Sequence, residues 1–365
     1  MKVFFIGQKG IPAVGGGVES HVENLAISLV DMGHDVYAYN RFSYNRSKRK
    51  GYKGINIISL PSIASKSLDA ISHTFLACLD FIFKRKADVV HFHSIGPSSL
   101  IWIIKLFRPK TKVVFTFHSQ CYFNSKWGKL AKFYLMLGER IGCKMSDEVI
   151  VISKSLKKYV EEKYNIEAIY APNGVRPIIN LEVNKIKELW NLEKDSYILS
   201  VSRIVRNKGL EHLIEAYKKI NTDKKLVIAG DGNYLKEIKT LAGDNKNIIF
   251  TENQSGDVLA ELFSNSYMFV QPSEAEGLSI ALLEAMSAKR PILISDIDAN
   301  KEAVSEETPT FKTRDINDLK NKIEEFLNQD NREILDKSVK NSYNKVLTEY
   351  NWDKITRTIV DVYKK

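Results

Sequence analysis

Two hydrophobic patterns alternate along the chain. Short, nearly unbroken apolar runs occur at 3–7 (VFFIG), 35–39 (DVYAY), 55–60 (INIISL), 89–94 (VVHFHS), 112–118 (KVVFTFH) and 148–153 (EVIVIS). Between most of them, apolar residues recur at the three-to-four spacing of an amphipathic helix, as in Val18, Val22, Leu25, Ala26 and Leu29. Runs without polar alternation suit strands covered on both faces, so the pattern predicts parallel sheet flanked by helices. After YAPNGV (170–175) comes a polar stretch, NLEVNKIKELWNLEKD, and the rhythm restarts at 197–202 (YILSVS), 225–230 (KLVIAG), 247–251 (NIIFT), 267–273 (YMFVQPS) and 291–295 (PILIS). Two doubly wound α/β domains are expected, 1–175 and 176–349, joined near 172–190. A length of 365 residues also favours two cores over one.

Composition narrows the class. There is no low-complexity tract or tandem repeat, and 44% hydrophobic with 27% charged residues is that of an ordinary globular protein. Four apolar residues before Gly7 are too few for a signal peptide, and Asp80 and Lys105 interrupt the longer apolar runs, so no membrane span is expected. Cys78, Cys121 and Cys143 have neither paired nor metal-like spacing and fit reduced thiols in a cytosolic protein. Charge is lopsided: residues 1–170 hold 25 Lys/Arg against 13 Asp/Glu, a net +12, while the remainder is at −2. RFSYNRSKRKGYK (41–53), FKRK (83–86) and KLFRPKTK (105–112) carry much of the excess, which suits an anionic partner.

Ligands of such sheets sit beyond the carboxyl ends of the strands, so chemistry is expected in the loops there. GIPAVGGGVESHVENLA (10–26) places Gly15, Gly16 and Gly17 where the first strand hands over to a helix N-terminus, a backbone suited to an anion; a tight turn needing positive φ is the plainer explanation. The spacing is not G-x-G-x-x-G, and the second strand ends in Asn40 and Arg41 rather than an acid, which argues against a dinucleotide. Arg203 and Lys208 share a strand-to-helix loop in SVSRIVRNKGLEHLIEAY and can address one anion with a planar fork and a point charge. In QPSEAEGLSIALLEAMSAKRPILIS, Glu276 lies in a loop before a helix that Gly277 introduces. Glu284 lies within that helix's apolar run, where a carboxylate is costly unless hydroxyls or an amine meet it. His91 and His93 alternate onto one strand face, but no third metal ligand is evident for them.

Taken together, Glu276-x7-Glu284 after PS, Arg203 and Lys208 upstream and the glycine loop near residue 16 resemble the retaining glycosyltransferases of family 4 over essentially the whole chain. IGQKGIPAVGGGVESHVENLA is similar to the amino-terminal signature of bacterial capsule, O-antigen and rhamnosyl-type polysaccharide transferases in that group. The resemblance implies the GT-B fold, two Rossmann-like domains facing across a cleft, with the segment 350–365 packing back on the first. It implies that Arg203 and Lys208 hold the diphosphate of a UDP- or GDP-sugar, that Glu276 meets hydroxyls of the transferred sugar, and that the amides of Gly277, Leu278 and Ser279 approach phosphate or sugar. Glu284 would hold the ribose, Gly16 and Gly17 would face the diphosphate, His118 would lie near the donor sugar, and Glu19 and His93 would lie on the acceptor side. A lipid-linked saccharide acceptor, an anionic membrane surface at the inner face of the cell membrane, and no cofactor or metal complete the expectation. Asp296 and Asp298 in DID look like the metal motif of the other large glycosyltransferase fold, but they follow the strand after the Glu pair, where members of the family also have a loop, so no metal requirement is expected. Ser279 replaces a common glycine or proline, so donor preference does not transfer. The competing expectations are a GT-B nucleotide-sugar 2-epimerase and a non-enzymatic polyanion binder; no nucleic-acid motif accompanies the basic runs.

Overall fold

The computed structural model describes residues 1–44, 50–65, 68–123, 127–178, 181–328 and 332–365. Part of the basic run 41–53 lies outside the described residues. The chain forms two compact units, Met1–Asn173 with Trp352–Lys365, and Gly174–Asn351.

The first unit is built on an eight-stranded sheet: β1 (Lys2–Ile6), β2 (Asp35–Arg41), β3 (Gly51–Tyr52), β4 (Ile55–Leu60), β5 (Val89–His93), β6 (Lys112–Phe117), β7 (Glu148–Val151) and β8 (Ile169–Tyr170). The order is β3-β4-β2-β1-β5-β6-β7-β8, parallel except where β3 pairs antiparallel with β4. Every residue of β5 is buried, because helices cover both faces of a parallel sheet. The helix Gly17–Asp31 buries Val22, Leu25, Ala26 and Leu29 against this core. The last helix, Trp352–Lys364, adds Trp352, Ile355, Ile359, Val362 and Tyr363 to the same cluster.

The second unit has six parallel strands: β9 (Tyr197–Val201), β10 (Lys225–Ala229), β11 (Ile248–Glu252), β12 (Met268–Gln271), β13 (Ile292–Ser295) and β14 (Thr310–Phe311), in the order β11-β10-β9-β12-β13-β14. In both sheets the winding reverses beside the first strand, between β1 and β5 and between β9 and β12. Loops leaving adjacent strands in opposite directions open a crevice there, and that is where doubly wound sheets bind ligands. No described helix is long and apolar enough to cross a membrane.

Candidate functional site

In the first unit the crevice is formed by residues 7–16 after β1 and by the ends of β5 and β6. Gly7 has φ 117°, and a Cβ on it would lie 2.3 Å from His93 O, so the loop rests directly on the end of β5. The loop is stitched by side chains. Lys9 N–H donates to Glu19 Oε1 (3.1 Å), Ile11 N–H to Asn40 Oδ1 (3.0 Å), and the N–H groups of Val14 and Gly15 to Tyr44 Oη (2.7 and 3.1 Å). Of the three consecutive glycines only Gly16 has positive φ, 108°, and a Cβ there would meet Glu19 Oε2 at 2.2 Å. The turn therefore explains Gly16 alone, while the helix that begins at Gly17 has no side-chain cap on its N-terminus. Glu19, expected toward an acceptor, is buried beneath the loop it holds.

Four histidines gather under this loop. His93 ends β5, His118 follows β6 in the neighbouring strand, and His21 reaches them from the helix Gly17–Asp31. His93 Nδ1 lies 3.1 Å from His118 Nε2, and the His21 and His118 rings meet edge to face at 4.9 Å. His21 Nδ1–H donates to Asn173 Oδ1 (2.9 Å), which leaves Nε2 with its lone pair and no partner among the described residues. Ligand nitrogens of His21, His93 and His118 lie within 4.8 Å of one another. This corrects the expectation that His93 lacks further ligands, because helix and neighbouring strand supply residues far away in sequence. His91 is engaged elsewhere: Nδ1 with Tyr363 Oη and Nε2 with Thr116 Oγ1, both at 2.7 Å. Burial lowers the His21 imidazolium to about 4. Burial first, and neighbouring imidazoles second, push His91, His93 and His118 well below the usual range. All four are neutral near pH 7. Neutral imidazoles are metal ligands, and they equally accept or donate single hydrogen bonds to a sugar hydroxyl.

In the second unit the loops after β9 and β12 meet. The strand-to-helix loop makes a short 3-10 turn, Arg206–Lys208, before the helix Leu210–Tyr217, with Gly209 at φ 63° between them. A Cβ on Gly209 would lie 2.1 Å from Pro272 O, so glycine is what lets the two loops touch. Glu276 Oε1 accepts from Lys208 Nζ, from Gln271 Nε2 (2.9 Å) and from Ser273 Oγ (2.8 Å). Arg203 is exposed and makes no ion pair among the described residues. The helix expected to start at Gly277 starts at Ile280 and is capped by Ser279, whose Oγ accepts from Leu282 N–H at 3.3 Å. That cap gives Ser279 a local reason, and Leu278 turns its side chain into the core. Glu284 keeps part of its surface open, yet its carboxyl has no hydrogen-bond partner among the described residues, and desolvation raises it to about 7.

Sequence reasoning missed Gln271 and Ser273, which hold Glu276; the QPS at the end of β12 was the available signal. It also missed Glu274, which bridges Arg314 and His212. Asp296 is spent on Thr313 and Asp298 pairs with Lys301, so DID serves local structure.

Each unit matches a known domain family. Residues 15–177 match the model described as Glycosyltransferase Family 4, and residues 182–345 match Glycosyl transferases group 1. With two Rossmann-like domains of parallel sheet and these matches, the chain is a glycosyltransferase of the GT-B class. It is 26% identical to an uncharacterized glycosyltransferase of Methanocaldococcus jannaschii over 100% of this chain and 98% of that one. It is 27% identical to the UDP-Gal:alpha-D-GlcNAc-diphosphoundecaprenol alpha-1,3-galactosyltransferase of Escherichia coli, over 77% of this chain and 76% of that one. The fold matches Anabaena HepE, solved in complex with UDP and glucose, at a TM-score of 0.79 and 14% identity, covering 100% and 99% of the two chains.

Proposed function

We propose that the chain moves a sugar, hexosyl or related, from a UDP- or GDP-sugar to a lipid-linked saccharide in cell-surface polysaccharide assembly, with retention of anomeric configuration and without a metal. The observation that carries this reading is the second-unit crevice: an exposed Arg203, without an ion pair among the described residues, in the same loop as Lys208, which is tied to Glu276. Breaking the bond between sugar and diphosphate builds positive charge on the sugar and negative charge on the leaving group. Arg203 and Lys208 would neutralise the diphosphate, with the amides of Gly277 to Ser279 beside it. Glu276 would orient sugar hydroxyls, and Glu284 would take the ribose hydroxyls that its desolvated carboxyl lacks. In the first unit, Gly16 and Gly17 would give bare backbone to the donor's diphosphate, and His118 would lie by the transferred sugar. His93 would take the acceptor hydroxyl side, with Glu19 holding the loop. No protein base is assigned; the leaving phosphate takes the acceptor proton.

The reading is supported by relatives, among them the Escherichia coli enzyme whose name specifies a UDP-sugar and a diphosphoundecaprenol-linked acceptor, and by a fold neighbour solved with UDP. A lipid-borne acceptor places the enzyme on the cytoplasmic face of the membrane, where anionic headgroups meet its basic first unit. The test is a panel of UDP-, GDP-, ADP- and dTDP-sugars, read by thermal shift and by nucleoside diphosphate release, on wild type and Glu276→Ala. Stabilisation by one nucleotide family, with release lost in the variant, is the expected result. No stabilisation by any nucleotide would end the reading.

A further inference from the structure

The helix Lys129–Met145 is arranged against the usual logic of a globular protein. Its small residues face inward: a Cβ on Gly138 would lie 1.9 Å from Ile95 O, and one on Gly142 would lie 2.7 Å from the Phe115 ring. Apart from Leu135, which is buried, its largest apolar residues face outward. Leu130 is 88% exposed and Phe133 70%, with Met136 and Leu137 also open. At 100° per residue these four share one arc of the helix with Lys129, Lys132, Arg140 and Lys144. The single acid, Glu139, is buried and accepts from Tyr159, Lys163 and Tyr164, so nothing on the exposed arc offsets the cations.

The helix Ile101–Phe107 packs beside it and exposes Trp102, Leu106 and Phe107. Eight of the eighteen exposed large apolar residues described lie on these two helices, so this is a concentration rather than ordinary scatter.

We infer that the exposed face of Lys129–Met145, extended by Ile101–Phe107, seats the chain on an anionic lipid bilayer. An apolar row flanked by Lys and Arg, on a helix lying flat against its domain, is the composition of an interfacial helix: the apolar side chains enter the headgroup boundary and the cations meet anionic lipid. A second copy of this chain would bring the same uncompensated cations face to face, which disfavours self-association. The inference deepens the proposed reading by naming where the lipid surface that carries the acceptor meets the protein.

Its test is co-sedimentation of the full chain with vesicles of phosphatidylglycerol and phosphatidylcholine, and with phosphatidylcholine alone. Wild type should pellet with the anionic vesicles. The combined Leu130→Asp, Phe133→Asp and Leu137→Asp variant should reduce the bound fraction about tenfold, as should Lys129→Glu with Lys132→Glu. Leu189→Asp with Leu347→Asp, at exposed positions of the second unit, should leave binding unchanged. An unaltered melting temperature and unaltered nucleotide-induced thermal shift would show that the variants remain folded and keep the donor site. Equal binding by the apolar variant, no binding by wild type, or a dimer in solution that the variant dissolves would overturn the assignment. Vesicle binding and nucleotide binding fail separately: vesicle binding without any nucleotide response would keep this face and discard the proposed nucleotide-sugar donor.

Discussion

Lys208 Nζ donates to Glu276 Oε1 across two loops that leave neighbouring strands β9 and β12, and Gln271 and Ser273 donate to the same oxygen. The cation proposed to meet the diphosphate is thus held by the carboxylate proposed to orient the sugar. The pair fixes the Lys208 side chain where the two loops meet.

Removing the two partners should therefore have different effects. Lys208→Ala should weaken nucleoside diphosphate binding by about 1.5–3 kcal/mol, the range of a hydrogen bond to a charged group. Glu276→Ala should leave that affinity within about threefold, because Lys208 is released, and should lower transfer by about a hundredfold or more through lost sugar positioning. Calorimetry with UDP and GDP beside a transfer assay separates the two; equal loss of nucleotide affinity in both variants would contradict the division of roles.

Glu284 titrates near 7 in the folded chain against 4.5 ordinarily. The native state then holds a proton that the unfolded state has given up, so stability contributed by the neutral carboxyl is complete below about pH 4.5 and is lost as pH rises through 7. The difference is on the order of 1–3 kcal/mol. Glu284→Gln should flatten this part of the melting-temperature profile and stabilise the ligand-free protein at pH 8. It should also weaken nucleotide binding, since the carboxylate accepts ribose hydroxyls better than an amide. Identical profiles for wild type and variant would remove Glu284 from both roles.

Gly16 and Gly15 are adjacent but not equivalent. Gly16→Ala forces a side chain into φ 108° and against Glu19 Oε2, a strain of about 1–3 kcal/mol, and should displace the loop on the uncapped helix. Gly15 is exposed at ordinary φ, so Gly15→Ala should shift stability by no more than about 0.5 kcal/mol. Thermal denaturation of both variants decides this, and transfer rates should follow the same order.

Tyr363 Oη meets His91 Nδ1 inside the first unit. Tyr363→Phe leaves a buried ring nitrogen without its partner and should cost about 1–3 kcal/mol. Ending the chain at Glu349 removes seven buried apolar side chains, Tyr350, Trp352, Ile355, Ile359, Val360, Val362 and Tyr363, each worth up to about 1.5–3 kcal/mol, which is as large as the whole stability of a domain. Full activity of that truncated chain would refute the structural role of the last helix.

Much of this architecture is legible in the sequence because parallel strands buried on both faces leave unbroken apolar runs; β1, β5 and β9 each appear as one. The two-residue strands β3, β8 and β14 escape, being too short to carry a period. Arg203, Lys208, Glu276 and Glu284 stand out because cations and acids in loops after apolar strands, or acids inside apolar helices, need a reason. What the chain does not reveal is who meets whom across topology. Lys208 finds Glu276, His91 finds Tyr363 and His21 joins His93 and His118 only because the winding order brings distant strand ends together. Local capping is hidden for the opposite reason: Ser279 and Glu19 have short-range structural uses that their residue types alone do not distinguish from ligand contacts.

The neutral histidines should make the first unit acid-labile. With the folded values of His21, His93 and His118 depressed by burial, His21 to about 4, the unfolded chain binds protons near 6.5 that the native cluster refuses. The stability this confers is present above about pH 6.5 and is lost as pH falls toward 4. His21→Gln should shift the acid unfolding midpoint downward while leaving stability at pH 8 within about 1–2 kcal/mol. The same three imidazoles test metal independence. If His93 and His118 serve through their mutual hydrogen bond, transfer should persist unchanged in a strong chelator, and added zinc should inhibit by drawing the ring nitrogens onto the ion. Loss of transfer in chelator, restored by zinc and absent in His21→Gln, would instead make the cluster a working metal centre and replace the metal-free reading of the reaction.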